Sequence, residues 1–189
     1  NLGNCLHELN LQGFGHLDDP VESYEKSIAI DPNFAEAHNN LGNVLKDSGR
    51  LNEAKVSFEK AIKINPLYVE AYYSFGIVLF DLGNFEESIE SYQKAIEIEP
   101  NFAEAHNNLG NTYKEIGRLN EAIQTYQKAI EINPNFAEAH NNLGNSFKDI
   151  DKLHEAIQSY NRAIEIMPKY PTLYNNLGNA FKELKELNE

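Results

Sequence analysis

A chain of 189 residues with 41% hydrophobic and 11% aromatic side chains carries enough apolar material to bury a core, which excludes a disordered tail. Sixteen Lys and Arg against 29 Asp and Glu leave a net charge of −13, a field that repels phosphate backbones and anionic lipid headgroups, so nucleic acid and membrane surfaces are poor partners. Cys5 is the only cysteine, which rules out a disulfide framework or a thiolate metal cluster and fits a reducing, cytoplasmic setting; no signal peptide is visible, and no apolar run approaches the roughly 18 to 20 residues of a membrane-spanning helix.

The chain opens in mid-motif with NLGN at Asn1, so it reads as a piece of something longer. The same tetrad returns at Asn40, Asn108, Asn142 and Asn176, with SFGI at Ser74 in the missing slot, and Pro32, Pro66, Pro100, Pro134 and Pro168 follow one another at intervals of 34. This period divides the chain into units 1–34 (incomplete), 35–68, 69–102, 103–136, 137–170 and the start of another, 171–189. The first unit holds five extra residues, placed in the turn LNLQGFGHLDDP, where Gly13 and Gly15 loosen the chain and Asp19 precedes Pro20 as a cap followed by proline at a first helical position. In the later units, Asn101 with Glu104 and Asn135 with Glu138 predict capping-box starts for a first helix. Gly49, Gly83 and Gly117 mark where that helix ends, Asn52 or Asn120 is placed to cap a second helix, and the periodic proline closes it. Small residues at Gly42, Gly110 and Gly144 on the first helix, and at Ala61, Ala129 and Ala163 on the second, predict close helix contact, with Leu109, Tyr113, Leu119, Tyr126, Ile130 and Ile132 filling the seam. No single unit can bury such a face alone, so the units stack.

Together the 34-residue period and the set Leu41, Gly42, Ala54, Phe58, Ala61 and Pro66, matched by Leu109, Gly110, Ala122, Tyr126, Ala129 and Pro134, resemble the tetratricopeptide repeat family over essentially the whole chain. The resemblance implies an all-α, right-handed superhelical solenoid of helix-turn-helix units, forming one domain over residues 1–189. It implies a non-catalytic scaffold that binds a peptide or partner protein on the concave side, where the first helices lie.

Catalysis has little support: Ser57, Ser91 and Ser159 lack a nucleophile elbow or a fixed His partner, and the glycines are spaced for packing and turns. His38, His106 and His140 recur at the period, with Tyr72 and Tyr174 in the same slot, which suits a partly buried structural position better than a shared metal site. No cofactor is implied. Asparagine is a mediocre helix former, yet Asn39, Asn40 and Asn43 return as Asn107, Asn108 and Asn111, as Asn141, Asn142 and Asn145, and as Asn175, Asn176 and Asn179. The column resembles the asparagine ladder of protein O-GlcNAc transferases, where amides hold the backbone of an extended peptide; equally, repeat duplication copies an asparagine whether or not it is used. The chaperone-tail-binding members use a clamp with cations, but here those slots hold Asn39, Asn107, Glu36, Glu104 and Glu138. Lys46, Lys114, Lys148 and Lys182 are each followed by an acid, Asp47, Glu115, Asp149 or Glu183, which reads as a solvated mixed-charge face.

One unit departs from the pattern. In residues 69–80, VEAYYSFGIVLF, the side chains Tyr73, Ile77 and Phe80 replace Asn, Asn and Lys on one helical face. Two readings stand: tighter packing against the adjacent unit, or an apolar side-chain site within a peptide groove formed with Asn40, Asn43, Asn108, Asn111, Asn142, Asn145, Asn176 and Asn179. Two other roles are compatible with the sequence, a substrate-docking arm of a larger enzyme such as an O-GlcNAc-transferase-like glycosyltransferase, and self-assembly through uncapped ends.

Overall fold

The computed structural model describes residues 20–187. These form α1 (Pro20–Ile30), α2 (Ala35–Asp47), α3 (Leu51–Ile64), α4 (Val69–Asp81), α5 (Phe85–Ile98), α6 (Ala103–Glu115), α7 (Leu119–Ile132), α8 (Ala137–Asp149), α9 (Leu153–Ile166) and α10 (Pro171–Glu186). Among the described residues there is no strand, and the fold is an all-α series of helix-turn-helix repeats, as the period predicts. The chain divides between Glu99 and Pro100 into two compact units, the first containing α1 to α5 and the second α6 to α10. The five-residue insertion near Gly13 and Gly15, with Asp19 and Cys5, lies outside the described residues.

Each repeat turns between its helices through one left-handed residue. Gly49, Gly83 and Gly117 have φ of +74°, +77° and +77°, and in the last complete repeat Asp151 takes that conformation at φ 60°. The amide of the next residue then reaches back across the helix end: Arg50 N donates to Leu45 O, Asn84 N to Leu79 O, Arg118 N to Tyr113 O and Lys152 N to Phe147 O, all at 2.8 Å. This is the Schellman closure, in which only Gly, or a short polar residue such as Asp, adopts the positive φ at low cost.

Helix starts differ from the sequence expectation. The residues that cap α2, α6 and α8 are Phe34, Phe102 and Phe136, none with a side-chain capping bond, so Asn101 and Asn135 lie one position too far out to form a capping box. Asn52 and Asn120 are already inside α3 and α7, whose caps are Arg50 and Arg118. Acids take over the first turn: Glu53 pairs with Arg50 at 2.6 Å and Glu121 with Arg118 at 2.8 Å, each carboxylate lying near the positive end of its helix. The hydrogen bond from the arginine is the main cause that holds both carboxyls below the usual range. Other polar side chains fold the inter-repeat turn, where Asp31, Asn65 and Asn133 accept from the amides of Asn33, Leu67 and Asn135 at 3.0, 3.1 and 3.2 Å.

Close approach within each helix pair depends on a glycine beneath an aromatic ring. A Cβ added to Gly42 would lie 2.8 Å from Phe58, and one on Gly76, Gly110 or Gly144 would lie 2.7, 2.6 or 2.6 Å from Tyr92, Tyr126 or Tyr160. Real Cβ contacts are not that short, so the ring occupies the space a larger residue would need. All four rings are buried, each contributing about 1.5–3 kcal/mol from removal of apolar surface. Alanines Ala61, Ala95, Ala129 and Ala163 are fully buried on the same helices. Around Tyr126, Leu109, Tyr113 and Ile123 are buried, whereas Leu119, Ile130 and Ile132 are half-buried and complete the seam only at its edge.

Candidate functional site

In the second unit the first-helix amides are joined by hydrogen bonds. Asn142 Nδ2 donates to Asn107 Oδ1 at 3.2 Å and to Asn111 Oδ1 at 3.1 Å, both on the preceding first helix, and Asn176 Nδ2 donates to Asn141 Oδ1 at 2.9 Å. Tyr126 and Tyr160, the rings that cover Gly110 and Gly144, donate their hydroxyls to Asn111 Oδ1 and Asn145 Oδ1 at 2.8 Å. Burial, reinforced by nearby carboxylates, pushes both phenols well above their ordinary range, so they remain neutral donors. Asn107, only 1% exposed, donates to Glu138 Oε1 at 3.1 Å and Asn108 Oδ1 at 3.4 Å.

An asparagine offers two N–H bonds and one acceptor oxygen, so the ladder can be audited atom by atom. The bonds described engage the oxygens of Asn111 and Asn145 and the amide nitrogen of Asn142. The Nδ2 groups of Asn111 and Asn145 and the Oδ1 of Asn142 have no intramolecular partner among the described residues. Asn108 and Asn176 are half-buried and Asn179 is exposed on α10. Beside the ladder, Ala137, Glu138, Asn141, Met167, Tyr170 and Leu173 line a cleft of about 300 Å³.

The first unit has the same slots without the joins. Phe58 stands where Tyr126 and Tyr160 stand, so Asn43 has no hydroxyl to accept from, and Ser74 replaces the amide that would reach Asn39. Asn39, 5% exposed, bonds to Tyr68, but its Oδ1 has no partner among the described residues. Asn40, 8% exposed, likewise has no partner for Nδ2 among the described residues. Tyr73, Ile77 and Phe80 are all half-buried. The Tyr73 ring lies tilted 6.0 Å from Tyr92, and Phe80 lies edge-on to Phe85 at 5.5 Å, so each aromatic has one side packed on α5 and part of its surface uncovered.

Other recurring side chains have structural partners. Nε2 of His38, His106 and His140 bonds to the carbonyl of Pro32, Pro100 and Pro134 at 3.1–3.2 Å, and Tyr174 donates its hydroxyl to Pro168 O at 3.0 Å, so four of the five residues in the slot tie down the turn before them; Tyr72 makes no such bond among the described residues. Ser57, Ser91 and Ser159 donate to backbone carbonyls. The lysine column pairs differently from its sequence neighbours: Lys114 reaches Asp149 at 3.1 Å and Lys148 reaches Glu183 at 3.5 Å, each one repeat onward, while Lys46 stays on Asp47 at 3.5 Å. Among the described residues no three His, Cys, Asp or Glu side chains are placed to hold a metal ion, and no helix is long and apolar enough to cross a membrane. Sequence reasoning missed Tyr126, Tyr160 and Glu138 as parts of the ladder, although the 15-residue spacing of each Asn–Tyr pair was there to be read.

Known proteins place these features in context. Family profiles described as TPR repeat match residues 15–49, 76–117, 110–151 and 144–185, and profiles described as tetratricopeptide repeat match 35–68 and 57–90. No curated protein matches significantly. Among solved structures the chain is similar to MamA, at 30% identity over 80% of this chain and 89% of that one with a TM-score of 0.77. It is also similar to YrrB, described as a TPR protein with an unusual peptide-binding site, at 26% identity over 92% of this chain and 87% of that one with a TM-score of 0.75. The pilF protein of Pseudomonas aeruginosa shares the fold at 23% identity, over 80% of this chain and 69% of its own, with a TM-score of 0.73.

Proposed function

The chain belongs to the tetratricopeptide repeat family, and from that premise we propose that it is a non-catalytic interaction scaffold whose first-helix faces hold an extended segment of a partner protein. One observation carries the reading: the ladder of the second unit leaves donors on Asn111 and Asn145 and an acceptor on Asn142. A peptide main chain presents the complementary groups at every residue, so such amides bind backbone without reading sequence. Their partners inside the fold already fix their orientation, which lowers the entropic cost of binding. The peptide-binding site of YrrB, a structural relative, supports the same class of role.

The test uses peptides selected on the chain from a library of displayed heptapeptides. Asn111→Ile with Asn145→Ile removes both free donors together with the acceptors of the Tyr126 and Tyr160 hydroxyls. Ile77, on the same helix as Gly76 under Tyr92, shows that the backbone accepts Ile in this slot, and Tyr126→Phe with Tyr160→Phe, which loses the same internal bonds but keeps the donors, is the control. Two lost hydrogen bonds of about 1 kcal/mol each predict an affinity loss of about tenfold or more, with helical circular dichroism unchanged. Unaltered affinity would remove the backbone-holding role.

A further inference from the structure

The third repeat differs from the others in charge as well as in its apolar face. Residues 69–102 contain seven acidic side chains and one basic one, Lys94. The counts are four acidic and five basic in 35–68, four and three in 103–136, and five and four in 137–170. On the first-helix face the change is specific: Phe80 occupies the slot that holds Lys46, Lys114 and Lys148 elsewhere, so this repeat brings no cation to the face, and Asp81, in the slot of Asp149, is not reached by Lys46 of the preceding repeat as Asp149 is by Lys114. Lys46 is paired with Asp47, and neither Asp81 nor Glu70 has an ion-pair partner among the described residues. A half-buried apolar strip, Tyr73, Ile77 and Phe80, therefore lies between two uncompensated carboxylates at the ends of α4.

We propose that this face of the third repeat binds a cationic segment with an apolar centre, such as a lysine- or arginine-flanked aliphatic stretch of a partner protein. The inference rests on the reading of the first helices as a peptide-binding face and supplies the ligand class. Tyr73 and Phe80 are held on one side by Tyr92 and Phe85, so they meet a ligand already ordered, the property of aromatic anchors that dominate interfaces. Glu70 and Asp81 are 11 residues apart, roughly 16 Å along a helix, which about five residues of extended chain would span. Lysine stems lie readily along apolar surface with the ammonium reaching outward, which suits a carboxylate at each end of the strip. Five further acids on α5 and at its end add a field that speeds encounter with cations.

The probe is the capped peptide GKLGLGKG, compared with GELGLGEG and GKSGSGKG, titrated against the whole chain by fluorescence anisotropy at low and high salt. Binding about tenfold tighter than either control, weakened by salt, is expected from combined charge and apolar contact. Phe80→Lys restores the lysine found in three sister repeats, so the fold accepts it, and it should abolish the preference; Asp81→Asn should flatten the salt dependence. Equal binding of GELGLGEG, no binding of any peptide, or indifference to Phe80→Lys would overturn the proposal. If GKLGLGKG ignores Phe80→Lys but is lost on Asn111→Ile with Asn145→Ile, the scaffold reading survives and this inference falls. The reverse pattern keeps the inference and removes backbone holding by the ladder.

Discussion

Repeats 103–136 and 137–170 tie their first-helix amides together through Tyr126, Tyr160 and Asn142, whereas 35–68 and 69–102 carry Phe58, Ser74 and Ile77 at key slots and lack the equivalent bonds. Both pairs nevertheless keep the same glycine-under-aromatic contact and the same left-handed turn. The difference separates two layers of the design. Helix pairing belongs to the seam of Gly42, Gly76, Gly110 and Gly144, and the amide network is an addition that a few substitutions remove without changing the backbone.

The largest expected effect comes from attacking the layer the two regions share. Gly110→Ala places a Cβ 2.6 Å from a fully buried ring, and overpacking of about 1–3 kcal/mol outweighs the gain of about 1 kcal/mol in helix propensity. Gly178→Ala meets nothing and should raise the melting temperature slightly; equal behaviour of the two variants in thermal melts would break the argument. Next, Tyr126→Phe with Tyr160→Phe makes the second unit resemble the first and should cost about 1 kcal/mol per lost hydrogen bond, read by urea unfolding. Ser74→Asn runs the other way. It offers Asn39 Oδ1 the donor that Asn107 already has and should stabilise the chain by about 1 kcal/mol, with no shift in midpoint arguing that the slots are not equivalent.

A smaller effect follows from pH. Burial, helped by Lys128 near His106 and Arg162 near His140, lowers both histidines below their ordinary 6.5, against the opposing bond to the proline carbonyl. The fold thus prefers them neutral, so their contribution is complete above 6.5 and is lost as pH falls from there through the folded values. His106→Tyr with His140→Tyr, the residue found at Tyr174, should remove that acid-side loss from melting curves between pH 7 and 5.

Much of the fold was legible because the period, the prolines and the turn glycines each have one physical meaning. Asp151 was not, since its side chain gives no sign that it replaces a glycine; only the register of Gly49, Gly83 and Gly117 points to it. Helix starts were misread because Asn101 with Glu104 matches a capping box in spacing while the chain enters the helix one residue later, at Phe102. The candidate site was legible as a column and not as a circuit. Asn107 and Asn141 are the same residue in the same motif, yet one is buried against Glu138 and the other half-exposed, a difference set by neighbours in the following repeat. Tyr73, Ile77 and Phe80 were picked out by contrast with their sister repeats, but one helix cannot reveal that Tyr92 and Phe85 would cover half of each ring.

The inter-repeat turns carry one more consequence, for dynamics. Asp31, Asn65 and Asn133 each hold the amide two residues ahead, while the matching positions are Glu99 and Met167, with no such bond among the described residues. Five turns of one sequence pattern therefore form two kinetic classes. Amide hydrogens of Asn33, Leu67 and Asn135 should exchange with solvent more slowly than those of Asn101 and Lys169, making the side chain before each proline a local timer written into the repeat.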